Sequence, residues 1–231
     1  MRKNITYKKA VIIMGPPGSG KGTQAKLIAD MFGLVVVDTG KILRAILANP
    51  TTKELKKEKQ LNDAGILNSP SFVLTLLTKT VTKIAKGGDG LIFTGSPRTM
   101  YETFGDSKKT GLIDTLERLY GKSNVSIIVL AVPQKASTSR NSARRSCVTC
   151  GTQLLSVVKG VTALTRCPFC AGKLEKRVDD NARVIKTRLQ EYASRTEPII
   201  EKLKSTKRRV FVIDGTLLPY AVFDRLIKIL S

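Results

Sequence analysis

The stretch Gly15-Pro16-Pro17-Gly18-Ser19-Gly20-Lys21-Gly22-Thr23 decides the fold. It follows the phosphate-binding pattern G-x-x-x-x-G-K-[ST] through Gly15, Gly20 and Lys21, with Thr23 supplying the hydroxyl one residue further on. The residues before it, Ala10-Val11-Ile12-Ile13-Met14, read as a short buried strand. Those after it place Ala25, Ile28, Ala29 and Phe32 at i, i+3, i+4 and i+7, one face of a helix. The loop therefore joins a strand end to a helix N-terminus, where free N–H groups and the helix dipole attract phosphate. Its glycines let the backbone wrap closely around an anion. In such a loop Lys21 reaches the β- and γ-phosphates, and the Thr23 hydroxyl sits on Mg²⁺.

The bulk composition sets limits. A chain of 231 residues, 42% hydrophobic, can bury a normal core. No apolar run approaches the ~20 residues of a membrane span. The N-terminus is basic but lacks a long apolar segment and a small-residue cleavage site, so no signal peptide and a cytoplasmic location are expected. Forty Lys and Arg against eighteen Asp and Glu give a formal charge of +22, a field that draws in polyanions. Nucleotides account for part of it, and nonspecific polyanion binding at low salt is expected. With aromatics at 5% and no Trp, stacking platforms for single strands are scarce. There is no His, which excludes an imidazole base and any His metal ligand.

All four cysteines form one pattern: Cys147-x-x-Cys150, sixteen residues, then Cys167-x-x-Cys170. That spacing reads as a structural Cys₄ zinc site, closed and tetrahedral. Gly151 and Gly172 suit tight turns beneath a metal. The alternatives are two disulfides, which a reducing compartment disfavours, four free thiols, or Fe–S ligation.

Five apolar runs, 10–14, 34–37, 90–93, 125–132 and 209–213, read as strands of a mostly parallel sheet. Helical patterns lie between them. One, over 181–195, carries Ile185, Leu189 and Tyr192 and is expected to end before Pro198; the last carries Val222, Leu226 and Ile229. Two stretches interrupt the alternation, 39–76 and about 138–178, as insertions at the ligand-binding edge of the sheet. The run 53–59, rich in lysine, reads as a solvated helix face.

Together the motifs resemble one family, the adenylate kinases in their long form with a zinc-bearing lid. The resemblance runs from about Ala10 to Leu230. Gln24 ends the phosphate loop as in that family. Thr39-Gly40-Lys41-Ile42-Leu43-Arg44 is similar to its T-G-D-L-L-R segment, Asp63-Ala64-Gly65-Ile66-Leu67 to D-A-G-x-L, and Gly95-Ser96-Pro97-Arg98-Thr99 to G-F-P-R-T. Arg140-x-x-x-Arg144-Arg145 is similar to the approach to its lid, and Arg177-Val178-Asp179-Asp180-Asn181 with Arg188 to the way out. Asp214-Gly215-Thr216 resembles its donor-base loop.

The resemblance implies an α/β fold: a P-loop NTPase core with a five-stranded parallel sheet flanked by helices, a helical NMP-binding insertion and a small zinc-bearing lid. The core would comprise 1–38, 77–138 and 179–231, the NMP-binding domain 39–76 and the lid 139–178. It implies the reaction ATP + AMP ⇌ 2 ADP, with Mg²⁺ accompanying ATP, a structural Zn²⁺ on Cys147, Cys150, Cys167 and Cys170, and a monomer. Lys21, Arg98, Arg144, Arg177 and Arg188 would be catalytic. ATP would lie against Gly15, Pro16, Pro17, Gly18, Ser19, Gly20, Lys21, Gly22, Thr23, Arg140, Arg144 and Leu217. AMP would lie against Thr39, Arg44, Ile66, Leu67, Asn68, Gly95, Arg98, Glu102, Arg177 and Arg188. Asp179 and Asp180 would pair with arginines at the lid hinge. Arginine suits this work because its planar fork holds phosphate oxygens in pairs.

Three positions depart from the family pattern. Thr94 and Lys41 stand where it has aspartates near Mg²⁺ and the phosphate site, which puts Mg²⁺ handling in question; Asp38 is the nearby acidic residue. Glu102 stands where it has the Gln that reads the adenine edge. An ionised Glu only accepts hydrogen bonds, so it mismatches adenine N1 by about 1–3 kcal/mol and would suit the two donors of guanine, unless it points to solvent. GMP or another NMP as acceptor is therefore one alternative. A basic, RNA- or ribosome-associated P-loop ATPase is another, and a nucleotide-binding protein without turnover a third.

Overall fold

A computed structural model describes residues 9–154, 160–176 and 181–231. In chain order the elements begin with β1 (Ala10–Met14), α1 (Lys21–Phe32), β2 (Val35–Asp38), α2 (Thr39–Leu47), α3 (Lys53–Asp63), α4 (Pro70–Lys86) and β3 (Leu91–Thr94). They continue with α5 (Met100–Phe104), α6 (Leu112–Tyr120), β4 (Val125–Ala131), α7 (Gln134–Ser142), β5 (Arg145–Cys147), β6 (Gln153–Leu154) and β7 (Leu174–Glu175). Then come α8 (Ala182–Glu191), α9 (Glu197–Lys204), β8 (Val210–Asp214) and α10 (Pro219–Leu230).

The main sheet has five strands in the order β2-β3-β1-β4-β8, every neighbouring pair parallel. This is the sheet expected from the five apolar runs, with each strand shifted by no more than a residue or two. Central β1 is buried throughout, because helices cover both faces. Its alternation sorts the core. Ala10, Ile12 and Met14 join α4, α6 and α9 on one side. Val11 and Ile13 join Ala25, Ile28, Ala29 and Phe32 of α1, and Val222, Leu226 and Leu230 of α10, on the other. The α1 stripe read from the sequence is the one buried; on α10 the stripe ends on Leu230, with Ile229 half-buried beside it.

The helix over 181–195 does not stop before Pro198. It runs on into α9 through one wide turn at Tyr192–Thr196, in which the Glu197 N–H donates to the Tyr192 carbonyl. Pro198 has no N–H to give and its ring crowds the carbonyl four residues back, so a wide turn just before it lets the helix continue. α4 crosses residues 76 and 77 without a break, and its buried Val73, Leu74, Leu77 and Val81 all join the same core.

The lysine-rich run is not wholly solvated. Glu58 on α3 is only 2% exposed. Its carboxylate accepts from Asn68 Nδ2 at 2.8 Å and from the Ser69 N–H at 2.9 Å. Burial alone would raise its pKa, but these hydrogen bonds outweigh that and hold it below the usual carboxylate range. The segment that carries the cysteines forms a small antiparallel sheet, β6-β5-β7. Among the described residues no helix is long and apolar enough to cross a membrane.

The Glu58 network generates a contrast within one run. Glu58→Ala removes the acceptor of the Ser69 N–H and one of the two acceptors of Asn68 Nδ2, which keeps the Glu58 main-chain carbonyl, and should cost about 1–3 kcal/mol of stability. Exposed Lys57→Ala should stay within about 0.5 kcal/mol. Urea denaturation midpoints of the two variants check this.

Candidate active site

The loop after β1 carries positive φ at Gly15 (144°), Gly18 (79°) and Gly20 (93°). At Gly18 a Cβ would also come within 2.7 Å of Asn141 Nδ2 and 2.9 Å of the Ser137 carbonyl, so this position needs glycine twice over. α1 starts on Gly20 with no side-chain cap and no acidic residue in its first turn. Its leading N–H groups therefore meet no competing carboxylate, which is the condition for holding phosphate. Lys21 folds back over the loop and donates to the carbonyls of Gly15 at 2.8 Å and Pro16 at 2.7 Å.

A cleft opens beside this loop at the carboxyl ends of the strands. Lys21, Arg44, Arg98, Arg144 and Arg188 line it together with Asp38. They come from α1, α2, the loop after β3, the approach to the lid and α8. Burial pushes the Lys21 ammonium well below its ordinary pKa, and Arg98, Arg188 and Arg144 push it further, while Asp38 works against them.

Towards α10 the cleft continues past Ser19, Thr23, Arg140, Gly215 and Leu217. Arg140 donates to the Gly215 carbonyl at 2.7 Å and the Thr216 carbonyl at 3.0 Å. Asp214 closes the same loop by accepting from the Thr216 N–H at 2.8 Å. Towards α3 the cleft continues past Thr39, Ile66, Leu67, Asn68, Gly95 and Glu102, with Arg44, Arg98 and Arg188 shared between the two parts. The structure thus gathers almost every site residue read from the sequence into one cleft. Pro17 and Gly22 are in its wall, whereas Pro16 lines a separate outer groove and faces the cleft through its carbonyl to Lys21. Arg177, Asp179 and Asp180 lie outside the described residues.

Glu102 does not point to solvent. It is 2% exposed and closes the start of α5: one oxygen accepts from the Arg98 N–H at 2.9 Å, the other from the Thr99 hydroxyl at 3.1 Å. Thr99 Oγ1 in turn accepts from the Glu102 N–H. This is a variant of the capping box, in which the carboxylate takes the N–H of the residue before the cap, and the spacing Thr99-Met100-Tyr101-Glu102 was present in the sequence. Burial pushes the Glu102 carboxyl pKa up, and the Arg98 and Thr99 contacts pull it back only in part.

Gln153 and Thr196 shape the cleft but carried no motif, and Gln24 was legible only as the end of the phosphate loop. Gln24 is buried and ties α1 to α10 through the Pro219 carbonyl at 2.9 Å. Gln153 of the lid lines the cleft against the phosphate loop. Thr196, in the wide turn, donates to the Arg98 carbonyl at 3.1 Å and so ties α8 and α9 to that arginine's main chain.

In the lid the four cysteine sulfurs lie within 4.8 Å of one another. Cys147 and Cys170 sulfurs are 3.4 Å apart, those of Cys150 and Cys167 3.7 Å. A tetrahedron of metal–sulfur bonds near 2.3 Å has edges of about 3.8 Å, whereas a disulfide needs about 2.05 Å. The donor set fits a tetrahedral metal, and all four cysteines are free of disulfides. Gly172 is required here, because a Cβ would meet Thr149 Oγ1 at 2.4 Å and Cys147 Sγ at 2.9 Å.

Comparison with known proteins gives the same picture. The family model for adenylate kinase matches residues 13–208. The adenylate kinase of Methanothrix thermoacetophila is 34% identical over 223 residues, 96% of this chain and 98% of its own length. That of Pelobacter propionicus is 34% identical over 207 residues, 90% of each chain. That of Paracoccus denitrificans is 34% identical over 194 residues, 82% of this chain and 83% of its own. With the phosphate loop and the cationic cleft at the edge of a parallel sheet, and a four-cysteine cluster in a small sheet of its own, this chain belongs to the adenylate kinase family.

Proposed function

We propose that this chain is a phosphotransferase that moves the γ-phosphoryl group of ATP to AMP, reversibly, giving two ADP. The observation that carries the reading is the convergence of Lys21, Arg44, Arg98, Arg144 and Arg188 on one cleft beside an uncapped helix N-terminus. An oxygen of the AMP phosphate attacks the γ-phosphorus, and the bond from that phosphorus to the β–γ bridging oxygen breaks. The electron pair leaves with ADP. The attacking oxygen is already ionised, so no base is needed, in keeping with a chain that has no histidine. Catalysis rests on positioning and on stabilising spread negative charge.

In this reading the phosphate loop, Lys21 and Thr23 hold the ATP phosphates, with Mg²⁺ arriving as part of the substrate. Arg140 and Leu217 take the donor base, and Arg144 bridges donor and transferring group. Arg44 and Arg98 grip the acceptor phosphate, and Arg188, with Arg177, meets the phosphoryl group in flight. Thr39, Ile66, Leu67, Asn68 and Gly95 surround the acceptor. Both Glu102 oxygens are engaged by Arg98 and Thr99. That supports a scaffolding part for Glu102 rather than base reading, and favours AMP over GMP. The segments 39–76 and 139–178 act as the acceptor domain and lid around the remaining core. Zn²⁺ held by Cys147, Cys150, Cys167 and Cys170 keeps the lid folded and takes no part in transfer. The chain is expected to work as a monomer in the cytoplasm.

The direct test incubates the protein with Mg-ATP and each of AMP, GMP, CMP and UMP and separates the products. ADP from AMP and ATP, with little NDP from the others, is expected; absence of any NDP would sink the reading, and GDP formation would return Glu102 to base recognition. Lys21→Met should cut kcat by at least about 10²-fold, as loss of one preorganised charge does, with the melting temperature little changed. Chelation or Cys147→Ser should lower the melting temperature while much of the turnover survives in the cold. Unchanged melting in both samples would remove the metal from the lid.

A further inference from the structure

Among the described residues, one carboxylate lining the cleft keeps an oxygen that no hydrogen bond engages. Among the described residues that line its three contiguous parts, the acidic side chains are Asp38 and Glu102. Glu102 has both oxygens engaged at the start of α5. Asp38 ends β2 and caps α2 with one oxygen, which accepts from the Lys41 N–H at 2.9 Å. No hydrogen bond engages its other oxygen among the described residues. Asp38 pairs in register with Thr94 of β3, and Thr94 pairs with Ile13 of β1, the strand that leads into the phosphate loop. Two strand spacings, about 10 Å, therefore separate Asp38 from the β1 chain. It lines the same part of the cleft as Lys21, and its charge works against burial and the three arginines there without overcoming them.

A divalent cation that enters with ATP meets five positive side chains here. Electrostatically that is a hostile place, and the cation needs a negative group of the protein within reach of its shell. Mg²⁺ sheds water reluctantly and is commonly held through its waters by one or two carboxylates. We propose that Asp38 is the positioning residue for the hydrated divalent cation of the metal–ATP substrate, accepting hydrogen bonds from its water through the oxygen not used in capping. Asp38 thereby does the work for which Thr94 and Lys41 offer no carboxylate. The proposal rests on the phosphotransferase reading and deepens it.

The test compares wild type with Asp38→Asn, which keeps an oxygen for the Lys41 N–H and so preserves the helix cap. Calorimetric titrations measure ATP binding with excess Mg²⁺ and again with EDTA. Wild type should prefer the Mg²⁺ complex. Asp38→Asn should bind Mg-ATP about tenfold more weakly, the usual size for a group acting through a metal's ligands, yet bind metal-free ATP as well as or better than wild type. The opposite signs separate the proposal from a merely structural role, which would weaken both. Asp38→Ser, also a good cap, is the second variant should the first fold poorly, and circular dichroism monitors folding. Equal losses in both titrations, no loss with Mg²⁺, or a wild type indifferent to Mg²⁺ would overturn the assignment. A wild type that binds no ATP in either titration would instead bring down the phosphotransferase reading beneath it.

Discussion

Five cationic side chains, Lys21, Arg44, Arg98, Arg144 and Arg188, face one cleft at the carboxyl edge of a parallel sheet. Without phosphate between them they repel one another, and the depressed Lys21 ammonium registers that repulsion together with its burial. The rest of the architecture holds them together against this force. A polyanion relieves it, so much of the binding energy for a nucleotide is already arranged before the nucleotide arrives.

Two kinds of restraint do the holding. One is the core: β1 is sealed between two apolar layers, so the loop that follows it leaves the sheet at a fixed point. The other is a set of polar ties to the main chain of the site. Glu102 accepts the Arg98 N–H, Thr196 donates to the Arg98 carbonyl, and Gln24 secures α1 to α10. These ties fix where the Arg98 side chain starts, and its Nε, donating to the Gly95 carbonyl, restrains the fork itself. The wide turn at Tyr192–Thr196 belongs to the same scheme, since it places Thr196 against Arg98 while Arg188 lies one helix earlier.

Much of this was legible in the sequence, for definite reasons. Glycines at loop positions with positive φ, an apolar strand before them and a helical stripe after them are local signals, and the structure keeps all three. The cysteine spacing was legible because a tetrahedral site constrains spacing tightly, and the sulfurs do converge. Glu58 was misread because the lysines around it dominate the run; its partners Asn68 and Ser69 lie ten and eleven residues away. Pro198 was read as a stop because a local rule cannot foresee a wide turn that carries the helix past it. Glu102 reads as a base reader or a solvated charge from its position alone, and only its spacing from Thr99 hints at the buried cap it forms.

By itself the sequence determined the phosphate loop, the strand and helix on either side of it, the parallel sheet, the four-cysteine lid and the set of arginines. These follow from short-range pattern, and short-range pattern is what a chain states openly. Tertiary structure alone decided which charges share the cleft and which carboxylates are already spent. Glu58 and Glu102 are turned inward to backbone and side-chain donors, whereas Asp38 caps α2 with one oxygen and lines the cleft. The difference among three acidic residues lies in burial and in partners brought from elsewhere in the fold, and residue identity carries neither.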